Sequence, residues 1–461
     1  MSTNCDIGVS RKQRVFATLE TVVGTMVFPV ATTDFILPAG NANMSQNPAF
    51  SDSEELNNTL DVLDQFPNAI PAAKWSIPMY LRPSGTLGSA PQGHILFQCL
   101  QHALNAATTA SISAEPTAAI ATITIKGISG GVLPEKGVVT LAGMVSEKVH
   151  YTGITRASRT ASTATLTGCV RGYDASTAAT HAIEQLVTLS SIFYRQQVAA
   201  PSCSIWIETD HFVQACKGCS VDSADFEVSN EGAVKVTFNG QGMQVVYAGT
   251  SALSESAVAT NTHLHVVDAS LYSAGAIIYD STVGSTRATI SAVNATTNVL
   301  TLSSAFGSVG ATADVIKGYL PTGTEIGDPI ESADTTIQID GVAGAIKNCT
   351  FTISAPKKYV EDEVGTDYPE EFMEDARSIS SSLSIYFRKA AAKYFSAGKN
   401  GEEYTVLLTF GDTAGAIFDI YCKRCKLEVP TIAFAAPAIE LNIPLKALGT
   451  VGEDSCEIVV R

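Results

Sequence analysis

A single β-rich pattern occurs twice in this chain, and the duplication restricts the possible folds more than any other feature. Residues 76–82 read Ser-Ile-Pro-Met-Tyr-Leu-Arg, and residues 382–388 read Ser-Leu-Ser-Ile-Tyr-Phe-Arg. Further along, Cys-Lys-Gly-Cys at 216–219 is matched by Cys-Lys-Arg-Cys at 422–425. Self-similarity at a long period indicates a copied domain. Copied domains commonly take equivalent places in a symmetric assembly, so the pattern indicates a structural building block.

Two further pairs of segments support the duplication. Alternating apolar residues at 233–238 and 438–443 predict a half-buried strand after each cysteine pair. Apolar segments at Gly93–Leu100 and Tyr404–Phe410 follow the first matched stretch of each copy, where we expect a second strand. The segment at 93–100 also fits an amphipathic helix, because its apolar residues recur at three- and four-residue spacing. The sequence leaves helix and strand open there.

Length and charge exclude several classes of protein. A chain of 461 residues allows about three domains, and a hydrophobic content of 45% allows each of them a buried core. The net charge of −16 argues against a protein that grips nucleic acid by neutralising phosphates. The charge is compatible with a wall past which nucleic acid slides, because like charges repel. If walls of this kind enclosed a channel, the lumen of that channel would be acidic.

The ten cysteines indicate a reducing cytoplasm. They are too sparse for a disulfide scaffold at this length, and most lie in apolar surroundings, where a thiol acts as a small hydrophobic group. No run of eighteen apolar residues predicts a membrane-spanning helix. The apolar stretch at 15–31 is interrupted by Glu20 and is not followed by a clean cleavage site. We therefore expect no secretion signal.

Changes in composition predict four units and a mainly β fold class. We expect two larger β-sandwich or barrel domains, each with a short helix, and two small inserted β-domains. The first larger domain is discontinuous and combines residues 1–107 with 190–252. A stretch rich in Thr, Ala and Gly at 108–189 predicts one inserted domain, and 253–330 predicts the other. The second larger domain spans 331–461.

Two long loops are the candidate contact sites. The segment 38–74 is either a short helix covering its own barrel or an arm that docks on a neighbour, because loops of this length are usually functional. The segment between Tyr359 and Arg377 is strongly acidic. The candidates for subunit contact or ring stacking are Phe50, Leu56, Leu60, Leu63, Phe66, Tyr359, Tyr368 and Phe372. The candidate acidic loop consists of Glu361, Asp362, Glu363, Asp367, Glu370, Glu371, Glu374 and Asp375.

No motif in the chain predicts catalysis, a cofactor or a metal ion. Residues 127–131 fit G-x-S-x-G, but Pro134 follows where that motif needs a helix, so we expect a turn. The two C-x-x-C pairs are much farther apart than those of zinc ribbons, and duplication explains them. His263 and His265 share one face of a strand and lack an identifiable third ligand. We therefore expect no enzymatic activity.

Four stretches carry a likeness to a known family. They are residues 216–250, which end in Gln-Val-Val-Tyr-Ala-Gly-Thr, and residues 337–353, 384–388 and 411–415. In these stretches the chain resembles the major tail tube proteins of long-tailed (siphovirus-type) bacteriophages, in the form that carries a duplicated tube domain. The likeness covers half of the chain and includes no catalytic motif. The stretches 108–189 and 253–330 lie outside it.

The resemblance implies tube domains whose inner sheets join into a barrel around a channel for DNA. Two such domains in one chain imply rings of three subunits, in preference to six, stacked into a tube. The implied partners are further copies of the chain, the tape measure, tail terminator and baseplate proteins, and genomic DNA in transit, without a membrane. The implied location is the virion tail, after assembly in the host cytoplasm. The alternative is another virion structural protein, such as a baseplate or tail-tip ring, a decoration protein or an adhesin.

Overall fold

The computed structural model shows a mainly β protein, as the sequence predicts. It describes residues 11–55, 61–101, 103–104, 108–129, 132–158, 160–196, 200–229, 231–284, 287–344, 346–435, 438–450 and 452–461. We call residues 13–100 with 192–248 the first repeat and residues 335–460 the second repeat. The strands at 109–189 form the first inserted unit, and those at 250–318 form the second inserted unit.

The first repeat is interrupted by the first inserted unit. Its leading elements are β1 (Gln13–Leu19), β2 (Phe35–Ile36), β3 (Asn43–Ser45), β4 (Phe50–Asp52), β5 (Gln65–Pro67), β6 (Ala73–Tyr80), α1 (His94–Leu100) and β7 (Ala103–Leu104). The inserted strands are β8 (Thr109–Ile112), β9 (Thr122–Ser129), β10 (Gly137–Leu141), β11 (Glu147–Tyr151), β12 (Gly153–Thr155), β13 (Thr163–Thr167) and β14 (Leu186–Leu189). The repeat resumes with β15 (Ile192–Arg195), β16 (Cys203–Thr209), β17 (Phe212–Val228), β18 (Lys235–Gly242) and β19 (Gln244–Ala248).

The second inserted unit and the second repeat follow in that order. The unit contains β20 (Thr250–Ala252), β21 (His263–His265), β22 (Ile277–Asp280), β23 (Ala288–Asn294), β24 (Val299–Leu302) and β25 (Val315–Gly318). The repeat contains β26 (Thr335–Ile339), β27 (Val342–Gly344), β28 (Asn348–Ser354), β29 (Lys357–Tyr359), β30 (Phe372–Glu374), β31 (Ser378–Tyr386), α2 (Lys393–Asn400), β32 (Glu403–Phe410), β33 (Phe418–Leu427), β34 (Thr431–Ala435), β35 (Ala438–Ala447) and β36 (Glu457–Val460). Short 3₁₀ helices lie at Ala269–Leu271, Ser332–Asp334 and Lys389–Ala392.

Both repeats have the same antiparallel strand order. One layer of the first repeat runs β3, β6, β18 and the second half of β17. The matching layer of the second repeat runs β28, β31, β35 and β34. In the other layer, β1, β16, the first half of β17 and β19 match β26, β32, β33 and β36. The predicted fold class, with two related β-sandwich domains, is confirmed.

The cysteine pairs mark a bulge at which one strand passes between the two layers. Cys216 and Cys219 face Ile205 and Cys203, so β17 advances three residues while β16 advances two. Residues three apart in a regular strand point to opposite faces, but the extra residue of a bulge returns both to the same face. The second repeat has the same bulge at its own cysteine pair, and all four thiols are buried. Duplication and core packing therefore account for the C-x-x-C motifs.

The helices correct one detail of the duplication. Residues 93–100 form α1, so the helical alternative is the right one. Its counterpart is α2, which follows β31 as α1 follows β6. The expected match between Gly93–Leu100 and Tyr404–Phe410 is wrong, because the first inserted unit separates α1 from β16, the true counterpart of β32.

The two inserted units form sheets of their own. The first has the strand order β11, β10, β14, β8, β9, β13, β12, and the second has the order β20, β25, β22, β23, β24, β21. Each surrounds a separate apolar cluster. The division of the chain into domains at 107/108, 189/190, 252/253 and 330/331 stays a prediction.

Each inserted unit packs on a different repeat. The first unit is inserted into the first repeat, and its apolar cluster includes Val459 of β36 in the second repeat together with Phe193 of β15, the strand partner of Val459. The cluster of the second unit includes Ala248 of β19 in the first repeat. Val459 faces Asp419 and Ala248 faces Val213, which are matched residues of β33 and β17. The two units therefore cover equivalent surfaces of the two repeats.

One apolar core runs through both repeats. The ring of Phe97 in α1 lies 4.9 Å from that of Phe238 in the first repeat and 5.2 Å from that of Phe418 in the second, measured between ring centroids. Because α1 contacts both repeats, their sandwiches share a single interior.

Candidate functional site: the edges of the shared sheet

The second half of β17 and strand β28 join the two repeats edge to edge. Six residue pairs form this internal joint, from Ser223 opposite Ser354 to Val228 opposite Cys349. The strand order β3, β6, β18, β17, β28, β31, β35, β34 is therefore continuous, and we call it the shared sheet. Domain-to-domain contact in this protein is made by backbone pairing.

The core-facing side of the internal joint is aromatic. Phe226 of the first repeat is fully buried, and its ring lies 6.1 Å from that of Phe351, its partner across the joint. The rings of Phe410 and Phe418 lie 6.5 Å away on the second repeat. Burying a side chain of this size contributes about 1.5–3 kcal/mol. Apolar burial and backbone pairing therefore act together at the joint.

The opposite face of the shared sheet is polar and rich in hydroxyl groups. Alternate residues of a strand point away from the core, and on β31 these include the exposed Ser378, Ser380 and Ser382. Across the joint, the Thr352 hydroxyl donates to the Asp225 carboxylate at 2.8 Å. Among the described residues, the charged ones on or beside this face are Lys74, Lys235, Lys347, Lys446, Asp222, Asp225, Glu227, Glu428 and Glu440. Positive and negative charges nearly balance, so this face is much less acidic than the lumen that the net charge predicted.

Within the described residues, the shared sheet ends at β34 on one side and at β3 on the other. β34 pairs with β35 through Thr431–Ala435, and β3 pairs with β6 through Asn43–Ser45. An open strand edge presents backbone N–H and C=O groups that can pair with another chain. On β34, the Phe434 side chain is 84% exposed. The combination of an open edge and an exposed aromatic side chain indicates an assembly surface.

The structure places the predicted contact residues of the first loop on a hairpin. Phe50 lies on β4 and Phe66 on β5, which pair with each other. The side chains of Phe50, Leu63 and Phe66 are all more than half exposed. Leu56 and Leu60 lie outside the described residues. The exposed hairpin is available to a neighbour, and its role in subunit contact stays a prediction.

The aromatic residues of the second loop hold that loop on its own chain. Tyr359 is buried, and its hydroxyl donates to the Gly218 carbonyl at 2.7 Å. Burial raises the pKa of Tyr359 well above its usual range. The Phe372 ring lies 5.3 Å from the Tyr359 ring, and Tyr368 is half-buried. Tyr359 therefore anchors the loop to the first repeat, and the role of the loop residues in subunit contact stays a prediction.

The acidic residues of that loop are mostly exposed and lie beside the first loop. Of the eight, Glu374 is half-buried and the others are exposed. The Glu361 carboxylate accepts a hydrogen bond from the Ala72 backbone N–H at 2.7 Å. The Asp367 carbonyl accepts one from the Ile70 N–H at 2.9 Å. The two long loops therefore meet at one end of the shared sheet, although they are far apart in sequence.

The structure locates most of the other motifs noted in the sequence. Burial raises the pKa of the Cys349 thiol to about 12, which keeps that thiol protonated. In the part of the chain that the structure describes, no group of three or more His, Cys, Asp or Glu residues is arranged to hold a metal ion. His263 and His265 are both exposed on β21. Ser129 ends strand β9, and residues 130 and 131 of the G-x-S-x-G match lie outside the described residues.

Comparison with known protein families identifies the family of this chain. The model of the family described as phage tail tube protein matches residues 10–447. This chain belongs to that family. No curated protein matches the chain in sequence.

Membership of the phage tail tube family makes the chain a structural component of a phage tail. The match includes the first repeat and both inserted units and ends at residue 447 in the second repeat, whereas the sequence likeness covered only half of the chain. No helix among the described residues is long and apolar enough to cross a membrane.

Sequence reasoning missed the strands that carry the candidate assembly surface. β34 is five residues long and follows Pro430, and β3 is three residues long within a loop-like composition. The usable signal was the alternation Thr431-Ile-Ala-Phe434, which places two large apolar side chains on one face of a strand.

Proposed function

We propose that this chain is the major tail tube subunit and that three copies close into a ring with six tube domains around a channel for DNA. The internal joint supports the proposal most directly, because it already fuses two tube domains into one curved sheet through strand edges. Repeating that edge contact between molecules removes the open edges, which closed barrels do in general. Rings of this kind stack into a tube that grows in the host cytoplasm and becomes part of the virion.

The polar face of the shared sheet forms the channel wall in this proposal. Hydroxyl groups and nearly balanced charges give DNA phosphates neither a basic patch to bind nor strong repulsion. In this proposal DNA passes along a nearly neutral wall, in place of the acidic, repelling wall that the net charge of −16 predicts. The excess acid lies partly in the loop between Tyr359 and Arg377, at one end of the shared sheet.

The two long loops supply the contacts between stacked rings in this proposal. They meet at one end of the shared sheet through the Glu361–Ala72 and Asp367–Ile70 hydrogen bonds. The hairpin of β4 and β5 presents Phe50 and Phe66 to a neighbour. The tape measure protein would occupy the channel, and the tail terminator and baseplate proteins would bind the two ends of the tube.

Electron microscopy with mass measurement tests the proposal. We expect purified protein to form rings of three chains, and virion tails to contain the chain as one of their most abundant proteins. Compact monomers under all conditions, with no copies in tails, would disprove a tube role. A low copy number confined to the tail tip would instead support a baseplate or tip ring.

The rate of DNA ejection tests whether the polar face of the shared sheet lines the channel. Thr350→Lys, Ser380→Lys and Ser382→Lys each place a cation on the polar face, so we expect tubes to assemble and DNA ejection to slow. Thr296→Lys is the matched control, because that exposed side chain belongs to the second inserted unit, which packs on the other layer of the first repeat. An ejection rate equal to that of the control would place the wall elsewhere.

A further inference from the structure

We propose that β34 of one copy pairs with β3 of the next copy in the register of the internal joint. The inference rests on the proposed ring and specifies its seam at residue level. It requires β34 to correspond to the second half of β17, and β3 to correspond to β28. Each correspondence follows from strand pairing within the chain.

The partners of β34 and β17 establish the first correspondence. Thr431 of β34 faces Asn442 of β35. Asp225 of β17 faces Thr237 of β18, and β18 is the counterpart of β35. Both strands also follow their cysteine bulge at the same distance in sequence. Thr431 therefore occupies the place of Asp225.

The partners of β3 and β28 establish the second correspondence. Asn43 of β3 faces Ser76 of β6. Thr350 of β28 faces Ser382 of β31. Ser76 and Ser382 are the first residues of the duplicated seven-residue stretch. Asn43 therefore occupies the place of Thr350.

Transferring the internal register to these strands gives a specific seam. Asp225 faces Thr352 at the internal joint, and Phe226 faces Phe351. The intermolecular pairs that follow are Thr431 with Ser45, Ile432 with Met44, and Ala433 with Asn43 of the next copy. The side-chain directions agree, since Met44 is buried on the core side whereas Asn43 and Ser45 are exposed on the polar side.

Exposure at matched positions indicates where a neighbour is missing. Val228 beside the internal joint is 6% exposed, whereas its counterpart Phe434 is 84% exposed. Three more pairs of large apolar residues follow the same rule, buried in the first repeat and exposed in the second: Leu81 and Phe387, Phe226 and Ile432, and Val234 and Ile439.

At the internal joint, these apolar side chains are covered by the segment just before the second repeat and by the second repeat itself. The Ile330 N–H donates to the Leu81 carbonyl at 3.0 Å, and the Ile330 carbonyl accepts from the Val234 N–H at 2.9 Å. Rings of the second repeat cover Phe226. A following repeat therefore buries these side chains, and the apolar residues at β34 need the first repeat of another copy for the same purpose.

Cysteine cross-linking of the full chain tests the register. Thr431→Cys with Ser45→Cys should give covalent oligomers under mild oxidation, because the side chains of the matched pair, Asp225 and Thr352, are in contact at 2.8 Å. Thr431→Cys with Asn43→Cys is the control, shifted two residues on the same face. Each single-cysteine variant corrects for the nine native thiols that the structure describes, all of which are buried.

The outcomes separate the seam from the ring. Covalent oligomers from the 431/45 pair and at least about tenfold fewer from the 431/43 pair support the proposed register. Cross-linking through the shifted pair, or through neither pair while microscopy still shows rings, overturns the seam and leaves the ring proposal intact. Failure of the unmodified chain to form rings or tubes overturns both.

Introducing a charge on β34 gives an independent test of the seam. Phe434→Asp should lower the amount of assembled protein by about tenfold or more, with the melting temperature of the dissociated subunit unchanged, because that side chain has little cover within the chain. Met144→Asp is the matched control on the first inserted unit, where the methionine is fully exposed. Equal assembly of both variants would exclude β34 from the seam.

Discussion

The helices α1 and α2 follow matched strands of the two repeats, yet one is a core element and the other a surface element. In α1 the buried residues are Ile95, Leu96, Phe97, Cys99 and Leu100, whereas in α2 only Ala397 is buried. The first helix is covered by the second repeat, through contacts such as that between Phe97 and Phe418. The second helix follows the last copy of the pattern and has no such cover among the described residues.

The comparison of α1 with α2 shows that matched elements of one fold can be buried to different extents. Strand order, bulge position and the place of the helix are the same in both repeats. Burial differs because it depends on what lies next to each repeat. The first repeat buries its apolar edge beside the second repeat, which is a neighbour within its own chain.

The largest expected effect comes from truncating one phenylalanine at each of the two edges. Phe226→Ala should lower the free energy of unfolding of the dissociated subunit by about 3–5 kcal/mol, because it leaves a cavity in an aromatic cluster. Phe434→Ala should change it by about 0.5 kcal/mol or less, because that side chain is exposed. Urea unfolding measures both. Similar losses for the two variants would mean that the second edge is already covered in the free subunit.

The inserted units extend the comparison, because they cover equivalent surfaces of the two repeats. In the first unit the buried Glu147 carboxylate accepts two hydrogen bonds from Arg171, both at 2.7 Å, and lies 2.9 Å from the His181 ring nitrogen. Glu147→Gln leaves the Arg171 charge without its partner, so we expect a loss of about 3 kcal/mol or more in the stability of this unit. Hydrogen exchange should localise the loss to residues 109–189 and leave the internal joint protected.

The same carboxylate gives the first unit a defined acid sensitivity. Burial alone would raise the pKa of Glu147, but hydrogen bonds from Arg171, the Ala179 and Gly172 amides and His181 outweigh burial and lower it from 4.5 to about 2. A lowered pKa stabilises the fold above the unfolded value, and that contribution is lost as the pH falls from about 4.5 to about 2. The Glu147→Gln variant should lack this part of the acid transition, which melting curves between these pH values would detect.

The smallest expected difference lies at the bulge. Gly218 has a φ of 61°, and a Cβ there would lie 2.3 Å from the Met243 sulfur. Gly218→Ala should therefore cost about 1–3 kcal/mol. Its counterpart Arg424 has an ordinary backbone and an exposed ion pair with Glu403, so Arg424→Ala should cost about 1 kcal/mol or less. Equal effects in thermal unfolding would mean that the two bulges share one conformation.

Sequence patterns predicted the features of the fold that depend on residues close together in sequence. Alternation predicted β6, β18 and β35, and duplication of residues 76–82 predicted two sandwiches of one fold. The C-x-x-C pairs were attributed to duplication, and only the strand pairing shows the bulge that makes both thiols face inward.

Pairing across long distances in sequence was beyond the same reasoning. The contact of β17 with β28 joins residues more than a hundred positions apart, and nothing in either strand specifies its partner. Burial of Tyr359 could not be predicted either, because its hydrogen-bond acceptor, Gly218, belongs to the other repeat. Residues whose environment is supplied by another repeat, or by another molecule, carry no sign of it in their own neighbourhood.

Fusing two domains in one polypeptide changes the kinetics of building a closed structure. Strands β17 and β28 are tethered, so they meet at a high effective concentration and do not depend on diffusional encounter. A closed circle of a given size then needs half as many independent particles to collide, and the translational entropy lost on closure falls accordingly. The concentration at which nucleation begins should therefore be lower than for an equivalent chain with a single domain.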